Sequence, residues 1–170
     1  MSDSRIKQTG LFILLVFLQV VLLNKIHLFG YAVPLLYIYF ILVFPVNANR
    51  NVVLIFSAVM GLTLDLFSYT LGLNLLACTV AGFFRHYLLK LFTPKDIFSS
   101  DIPSIRSFGR TLYFRYLSSM VLLHQIVLFT AESVSLFDPL RLFFRILGSS
   151  VLTIIILYAY ENINFGDYRK

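Results

Sequence analysis

The sequence has few charged residues and almost no cysteine. Asp, Glu, Lys and Arg together make up 13% of the 170 residues, whereas hydrophobic residues make up 59%. A water-soluble domain of this length cannot hide so much apolar surface. Cys78 is the only cysteine, which excludes an intramolecular disulfide and a thiolate metal cluster. We therefore expect an all-α integral membrane protein.

Motifs that carry catalysis are missing as well. The sequence has no glycine-rich phosphate loop, nucleophile elbow, zinc motif or carboxylate pair. The net charge of +6 comes mainly from Lys and Arg at the ends of apolar segments, and not from a basic face with interleaved aromatic residues. Topology and anionic lipid explain this charge more simply than nucleic acid does. We expect no enzymatic activity, no cofactor and no metal ion.

Apolar segments divide the chain into six predicted membrane spans. A hydrocarbon core about 30 Å thick needs roughly 20 helical residues per crossing, so a chain of this length supplies at most about six or seven crossings. The predicted spans are residues 11–29, 31–46, 52–68, 73–92, 112–131 and 139–160. Pro34 and Pro45 bracket the short second span, and Asp138 and Pro139 predict the start of the sixth. Residues 93–110 form the predicted polar loop between the fourth and fifth spans.

The positions of the basic residues predict the orientation, because Lys and Arg are enriched in loops on the cytoplasmic side. One side of the predicted bundle collects most of them, namely Arg5, Lys7, Arg50, Lys90, Lys95, Arg106, Arg110, Arg169 and Lys170. The other side has Lys25 and Arg141, with Arg145 deeper in the sixth span. We therefore expect both termini in the cytoplasm, three short outer connections, and one transmembrane domain over residues 1–170.

Asp65 lies near the outer end of the third span, where a charged side chain needs a partner. One structural interpretation is an ion pair with Arg141 or Arg145, which lie one helical turn apart on the sixth span and enter from the same side. The other is a cap for a neighbouring helix. We favour these structural roles over proton transfer, because intramembrane carboxylates in pumps usually belong to chains of such groups.

Several uncharged polar residues also lie within predicted spans: Gln19, Asn74, His124 and Gln125. We interpret them as hydrogen-bonding groups between helices. Neither His27 nor His86 shares a metal-ligand spacing with His124, which favours a hydrogen-bonded histidine over a metal ligand. Arg85 in the fourth span is expected to snorkel to the cytoplasmic headgroups.

Small residues recur at a spacing of four on the third and fourth spans, in the pairs Ser57 and Gly61, Ala77 and Ala81, and Cys78 and Gly82. Such spacing lets helix backbones approach closely. We expect the third span to pack directly against the fourth. The first span, by contrast, has no small residue between Leu11 and Leu23, which suits lipid or a loosely packed partner.

An ordered pattern of six residues lies between Val33 and Phe84: Pro34, Pro45, Arg50, Gly61, Asp65 and Gly72. A proline opens the second span, a second proline closes it, a basic residue follows in the short turn, and a Gly-x-x-x-Asp element precedes a glycine turn. This pattern resembles the family of the rod shape-determining protein MreD. Length, span count and short outer loops fit the family too, whereas the fifth and sixth spans match in hydropathy alone.

The resemblance implies a scaffold in the bacterial inner membrane that supports cell-shape control and lateral peptidoglycan synthesis. Its implied direct partner is an MreC-like protein with a single span. Through that partner it would influence a RodA-type glycosyltransferase, a penicillin-binding transpeptidase and the MreB filament. The family also resembles in fold the six-helix substrate-binding S subunits of energy-coupling-factor vitamin transporters. The six pattern residues, with Arg141 and Arg145, are the candidate structural or partner-contact residues.

Two other functions remain open. A transporter subunit predicts an outward pocket near Asp65 and Arg145 that binds a small molecule. Such subunits dock their transport partner through small residues on the first helix, so the large residues from Leu11 to Leu23 count against this function. An intramembrane enzyme acting on lipid-linked precursors would need Asp65, Arg145 and His124 to converge.

Overall fold

The chain folds into helices that differ strongly in length. A computed structural model of the protein describes residues 2–23, 32–70, 72–93, 102–133 and 138–167, and this part contains no β-strand. The helices are α1 (Ser2–Phe17), α2 (Ile38–Leu42), α3 (Arg50–Ser68), α4 (Leu73–Phe92), α5 (Ile105–Glu132) and α6 (Pro139–Asp167). One π-helical turn, Leu18–Leu22, continues α1.

The four helices α3 to α6 are long and apolar enough to cross a membrane. The shortest of them, α3, has 19 residues and is about 28 Å long, which is close to the thickness of the hydrocarbon core. The predicted third to sixth spans lie within these helices. The predicted start of the sixth span is also confirmed, since Asp138 Oδ1 accepts hydrogen bonds from the backbone N–H groups of Leu140 and Arg141, both at 3.2 Å.

The prediction that the second span, residues 31–46, is a membrane-spanning helix is wrong. Within residues 32–46 only Ile38–Leu42 is helical, which is about 7.5 Å of helix. Pro34 and Pro45 account for the difference, because each lacks an N–H group and disfavours helical backbone in the residue before it. Residues 32–46, here called the interior segment, nevertheless lie deep in the bundle, and Ile41 and Leu42 are completely buried.

The first span and the polar loop are described only in part. Predicted residues 11–22 of the first span are helical, whereas residues 24–31 lie outside the described residues, as do residues 94–101 of the loop. The loop prediction extends too far, because α5 begins at Ile105. Ser104 and Ser107 explain this start by forming a capping box, in which each side chain bonds the other residue's backbone N–H group. Gly109, with φ 75° and ψ 163°, then kinks the helix.

The long helices pack side by side, α4 against both α3 and α5, and α5 against α6. The predicted close approach of α3 and α4 is confirmed. A Cβ atom added to Gly61 would lie 2.6 Å from Leu75 Cα, and one added to Gly82 would lie 2.5 Å from Ser57 Oγ. We call the end of the bundle where α3 ends and α4 begins the Gly72 end, and the end where α3 begins the Arg50 end.

Candidate functional site

The backbone of the interior segment is held by side chains of α6. Its first residues are extended, so their N–H groups have no helical partner. The N–H group of Val33 donates to Ser149 Oγ at 3.0 Å, and that of Leu35 donates to Thr153 Oγ1 at 3.1 Å. Both hydroxyl groups are completely buried. Ser149 and Thr153 were not among the predicted site residues, although two hydroxyl residues four positions apart on an apolar helix are a signal that marks them.

Gln19 holds the same segment from the other side. This side chain lies in the π-helical turn after α1 and is almost fully buried. Its Nε2 atom donates to the carbonyl of Pro34 at 3.2 Å, and its Oε1 atom accepts from the N–H group of Leu36 at 3.2 Å. The predicted polar bridge is therefore present, but it joins the first helix to an extended backbone and not to another helix.

Gln125 links this arrangement to α5. Its Nε2 atom donates to Thr153 Oγ1 at 3.0 Å, while its Oε1 atom accepts from Ser150 Oγ at 3.1 Å. The prediction that Gln125 bonds between helices is confirmed. Since Thr153 also accepts from the Leu35 N–H group, the bonds form a continuous path from α5 through α6 to the interior segment.

Arg85 does not snorkel to the membrane surface, so this prediction is wrong. Its side chain is 3% exposed. One terminal nitrogen donates to the carbonyl of Phe44 and, at 3.4 Å, to that of Pro45. Both carbonyl groups follow the short helix α2 and lie outside any helix, and that of Pro45 also accepts from the Ala48 N–H group at 3.0 Å. They give the buried cationic donor its acceptors.

Asp65 caps the start of α4. Its Oδ1 atom accepts from the Asn74 backbone N–H at 3.0 Å, from Asn74 Nδ2 at 2.9 Å and from the Thr70 hydroxyl, while Oδ2 accepts from the Leu75 N–H at 2.8 Å. Gly72, with φ 77°, occupies the cap position of α4 and has no side chain to cap it. Asp65 supplies the missing acceptor from the neighbouring helix, so the capping interpretation is confirmed.

The ion pair predicted for Asp65 is wrong. Arg145 instead pairs with Glu132 at the end of α5, with Nη2 2.9 Å from Oε2 and 3.1 Å from Oε1. The guanidinium carbon of Arg145 also lies 4.7 Å from the centre of the Phe129 ring. The Asp65 carboxylate accepts hydrogen bonds from backbone N–H groups instead of from an arginine. A search for residues of opposite charge does not find such donors.

Arg50 lies at the opposite end of the bundle and stacks on aromatic rings. Its guanidinium carbon is 4.3 Å from the ring centre of Phe83 and 5.4 Å from that of Tyr87. Asn49 Oδ1, which the sequence analysis missed, accepts from the Asn51 N–H at 3.0 Å and caps α3. Arg50 therefore joins the start of α3 to the side of α4.

A second buried acid lies near the Arg50 end and was also missed. Glu161 on α6 is 8% exposed, and its Oε2 atom accepts from the Tyr39 hydroxyl at 3.1 Å. Tyr39 further packs edge to face against Tyr160, with ring centres 5.4 Å apart. This pair fixes the helical part of the interior segment to α6.

The convergence that an enzyme of lipid-linked precursors requires is not present. Asp65 and Arg145 have the separate partners described above. His124 is completely buried, its Nε2 atom lies 3.9 Å from Cys78 Sγ, and its ring packs edge to face on Tyr37. Within the described ranges, no three His, Cys, Asp or Glu side chains are placed to hold a metal ion.

A cavity of about 270 Å³ opens at the Gly72 end. It lies where the interior segment, α3, α4, α5 and α6 meet. Its lining combines apolar and polar side chains from these five elements, from the π-helical turn after α1 and from the turn between α3 and α4: Gln19, Val33, Leu35, Tyr37, Leu64, Ser68, Thr70, Leu73, Asn74, Leu128, Phe129, Glu132 and Arg145. Arg145 thus faces the same space as Asn74 and Thr70, the partners of Asp65, although it does not reach Asp65.

Replacing Gln19 with leucine is expected to lower the free energy of unfolding by about 2 kcal/mol, because the Pro34 carbonyl and the Leu36 N–H group lose their partner inside the bundle. Unfolding by sodium dodecyl sulfate in mixed micelles measures the change. The matched control is Gln8→Leu, the same substitution about three turns earlier on α1. Equal stability of the two variants would show that the bonds of Gln19 contribute nothing.

Comparisons of the chain with protein-family models, with curated proteins and with solved structures found no match. The resemblance to the MreD family therefore rests on the six pattern residues. All six lie in the described part of the chain. Each takes part in the internal framework, through its side chain, its carbonyl group or its backbone conformation.

Proposed function

We propose that this chain is a non-enzymatic membrane scaffold of the bacterial cell-elongation machinery. In this proposal it resides in the inner membrane and holds the transmembrane helix of an MreC-like single-span partner. Through that partner it supports the RodA-type glycosyltransferase, the penicillin-binding transpeptidase and the MreB filament, and thereby lateral peptidoglycan synthesis.

One observation carries the proposal, which is that the pattern residues hold neighbouring segments of the chain together through close packing and internal hydrogen bonds. The carbonyl groups of Pro34 and Pro45 accept bonds from buried side chains. Gly61 lets α3 touch α4, and Asp65 caps α4 beside Gly72. A frame of this kind favours a scaffold, since its shape and not a reactive group would be the functional feature.

The path of the interior segment supports six crossings with both termini in the cytoplasm. Its first residues line the cavity at the Gly72 end, and Phe44 and Pro45 bond to Arg85 in the second half of α4. The segment therefore runs along the bundle without a full-length helix. In our proposal the segment, α1 and the four long helices are the six passes, and both termini lie at the Arg50 end, which is rich in basic residues and which we assign to the cytoplasm.

Apolar side chains are exposed on α1 and on each of the four long helices, and α1 and α6 are the two that we propose for the partner helix. Ile13, Leu14 and Phe17 on α1 are about three-fifths exposed, and so is Phe143 on α6. The first span has no small residues on this face, so contact there relies on interlocking large side chains. We assign the partner helix to these faces.

The proposal predicts that depleting the protein in its host widens the cells and slows growth, because lateral synthesis loses its scaffold. Cell width under the microscope measures the effect. A photoreactive residue at Phe17 or Phe143 should crosslink to the single-span partner, whereas one at the buried Met60 should not. Unchanged cell width after full depletion, or crosslinking only from Met60, would contradict the scaffold.

A second candidate function is the substrate-binding subunit of an energy-coupling-factor vitamin transporter. The cavity at the Gly72 end favours it, because that end faces outward in the proposed orientation and Arg145 lines the cavity. The composition of the first span counts against it. Loss of vitamin uptake in a deletion strain would support this function, and unchanged uptake would exclude it.

A further inference from the structure

The polar groups deep in the cavity already have protein partners. Gln19 bonds to the interior segment, and the Tyr37 hydroxyl donates to Asn74 Oδ1 at 2.8 Å. Asn74 Nδ2 donates to Asp65 and, at 3.1 Å, to the Thr70 hydroxyl. A ligand would therefore find few unsatisfied hydrogen-bonding groups in the interior of the cavity.

The other side chains deep in the cavity are apolar. Leu35, Leu64, Leu128 and Phe129 line it and are buried to more than nine-tenths. Burial of apolar surface from a ligand against such side chains is favourable without any directional bond. The deep part of the cavity thus suits the apolar body of a small molecule.

The charged groups of the cavity lie at its mouth. Arg145 and Glu132 are 28% and 41% exposed, and they form an ion pair. Both have capacity beyond this pair, since a guanidinium group carries five N–H donors and a carboxylate about four acceptor sites. The pair has no net charge, so a ligand with one positive and one negative group satisfies it better than a simple ion does.

We infer that this cavity binds a small zwitterion with an apolar body, its anionic oxygens on Arg145 and its ammonium group on Glu132. A volume of 270 Å³ is that of about nine water molecules, which matches the size of an apolar amino acid. The same chemistry occurs in the phosphoethanolamine headgroup of a membrane lipid. The inference goes beyond both candidate functions, because it names a ligand class that neither of them supplies, and it rests on neither, since binding needs no transport partner.

Calorimetric titration of the purified full-length protein with L-leucine tests the inference. Binding of leucine is expected, with affinities about tenfold lower for 4-methylpentanoate, which lacks the ammonium group, and for 3-methylbutylamine, which lacks the carboxylate. Arg145→Gln should weaken leucine binding by a similar factor. Because the ion pair is partly exposed, this variant is expected to keep its fold, which circular dichroism verifies.

Arg141→Gln is the matched control, as it makes the same substitution one turn away on α6, outside the cavity lining. Leu128→Phe should abolish binding by filling the cavity. Native mass spectrometry from bilayer discs of phosphatidylethanolamine and phosphatidylglycerol shows whether the bound zwitterion is a free amino acid or a lipid headgroup. If the protein retains phosphatidylethanolamine and the Arg145→Gln variant loses it, the ligand of the cavity is a lipid headgroup. If neither leucine nor this lipid depends on Arg145, the inference is overturned, whatever uptake or cell shape shows.

Discussion

Replacing Gly61 with alanine is expected to lower the free energy of unfolding by about 3 kcal/mol or more, because α3 and α4 would have to separate. The new Cβ atom would meet the carbonyl oxygen of Asn74 and lie 2.6 Å from Leu75 Cα. Both are backbone atoms of the first turn of α4 and cannot move aside as a flexible side chain can. Separation would also pull that turn away from Asp65, which caps it.

Sodium dodecyl sulfate unfolding in mixed micelles measures this change, and Gly10→Ala is its control. Gly10 has nothing within 4 Å of an added Cβ atom, so that variant should be as stable as the parent or slightly more so. Gly82→Ala offers a further comparison, because its added atom meets the side chain of Ser57. Ser57→Gly should therefore rescue Gly82→Ala, whereas no side-chain substitution should rescue Gly61→Ala. A fully stable Gly61→Ala protein would contradict the close helix contact.

Asp65→Ala is expected to lower the free energy of unfolding by about 3 kcal/mol, since hydrogen bonds to a charged acceptor contribute about 1.5 to 3 kcal/mol each and several are lost together. The backbone N–H groups of Asn74 and Leu75 would be left without an acceptor at the start of α4. Amide hydrogen exchange should show the first turn of α4 opening more often, while the centre of α5 is unchanged.

Asp65→Asn distinguishes the contribution of the capping hydrogen bonds from that of the negative charge. Its Oδ1 atom still accepts from Asn74, but an amide nitrogen now faces the Leu75 N–H group, so the loss should be smaller than for alanine. Arg145→Gln tests the ion pair that the sequence suggested. Because Arg145 pairs with Glu132 and not with Asp65, the losses in Asp65→Ala and Arg145→Gln should add in the double variant. A large coupling between them would restore the ion-pair interpretation.

Hydropathy and capping residues were sufficient to predict the four long helices. The third to sixth spans were correctly located because each is apolar over about 20 residues and begins or ends at a recognisable signal, such as Asp138 before Pro139. Small residues at a spacing of four likewise predicted the contact of α3 with α4, since only such residues allow the approach seen at Gly61 and Gly82.

The interior segment could not be predicted in the same way. Its apolar residues predict a membrane helix, because a buried extended chain and a buried helix are equally hydrophobic in sequence. The difference lies in where the backbone N–H and carbonyl groups find partners. Those partners, Gln19, Arg85 and Ser149 among them, are far away in the sequence, and their role becomes visible only when the helices are assembled.

For Asp65 the cap was predicted only as an alternative to an ion pair, and the residues that it caps were not named, for a related reason. A search for charged groups near the carboxylate finds Arg141 and Arg145, but backbone donors do not appear in a list of charged residues. Gly72 was the informative signal, since a helix that begins after a glycine must take its capping acceptor from elsewhere. The cavity was predicted only as part of the transporter alternative, and its ion pair of Arg145 with Glu132 was not.

The interior segment also determines when the chain can complete its fold during synthesis. Val33 and Leu35 bond to residues 116 and 118 positions later in the chain. Until α6 has been made, the N–H groups of Val33 and Leu35 lack the hydroxyl groups that accept from them, and lipid cannot supply other acceptors. The early part of the chain must therefore remain beside water or the insertion machinery while the later helices emerge. We therefore expect a chain truncated before Ser149 to leave the interior segment without its final hydrogen bonds.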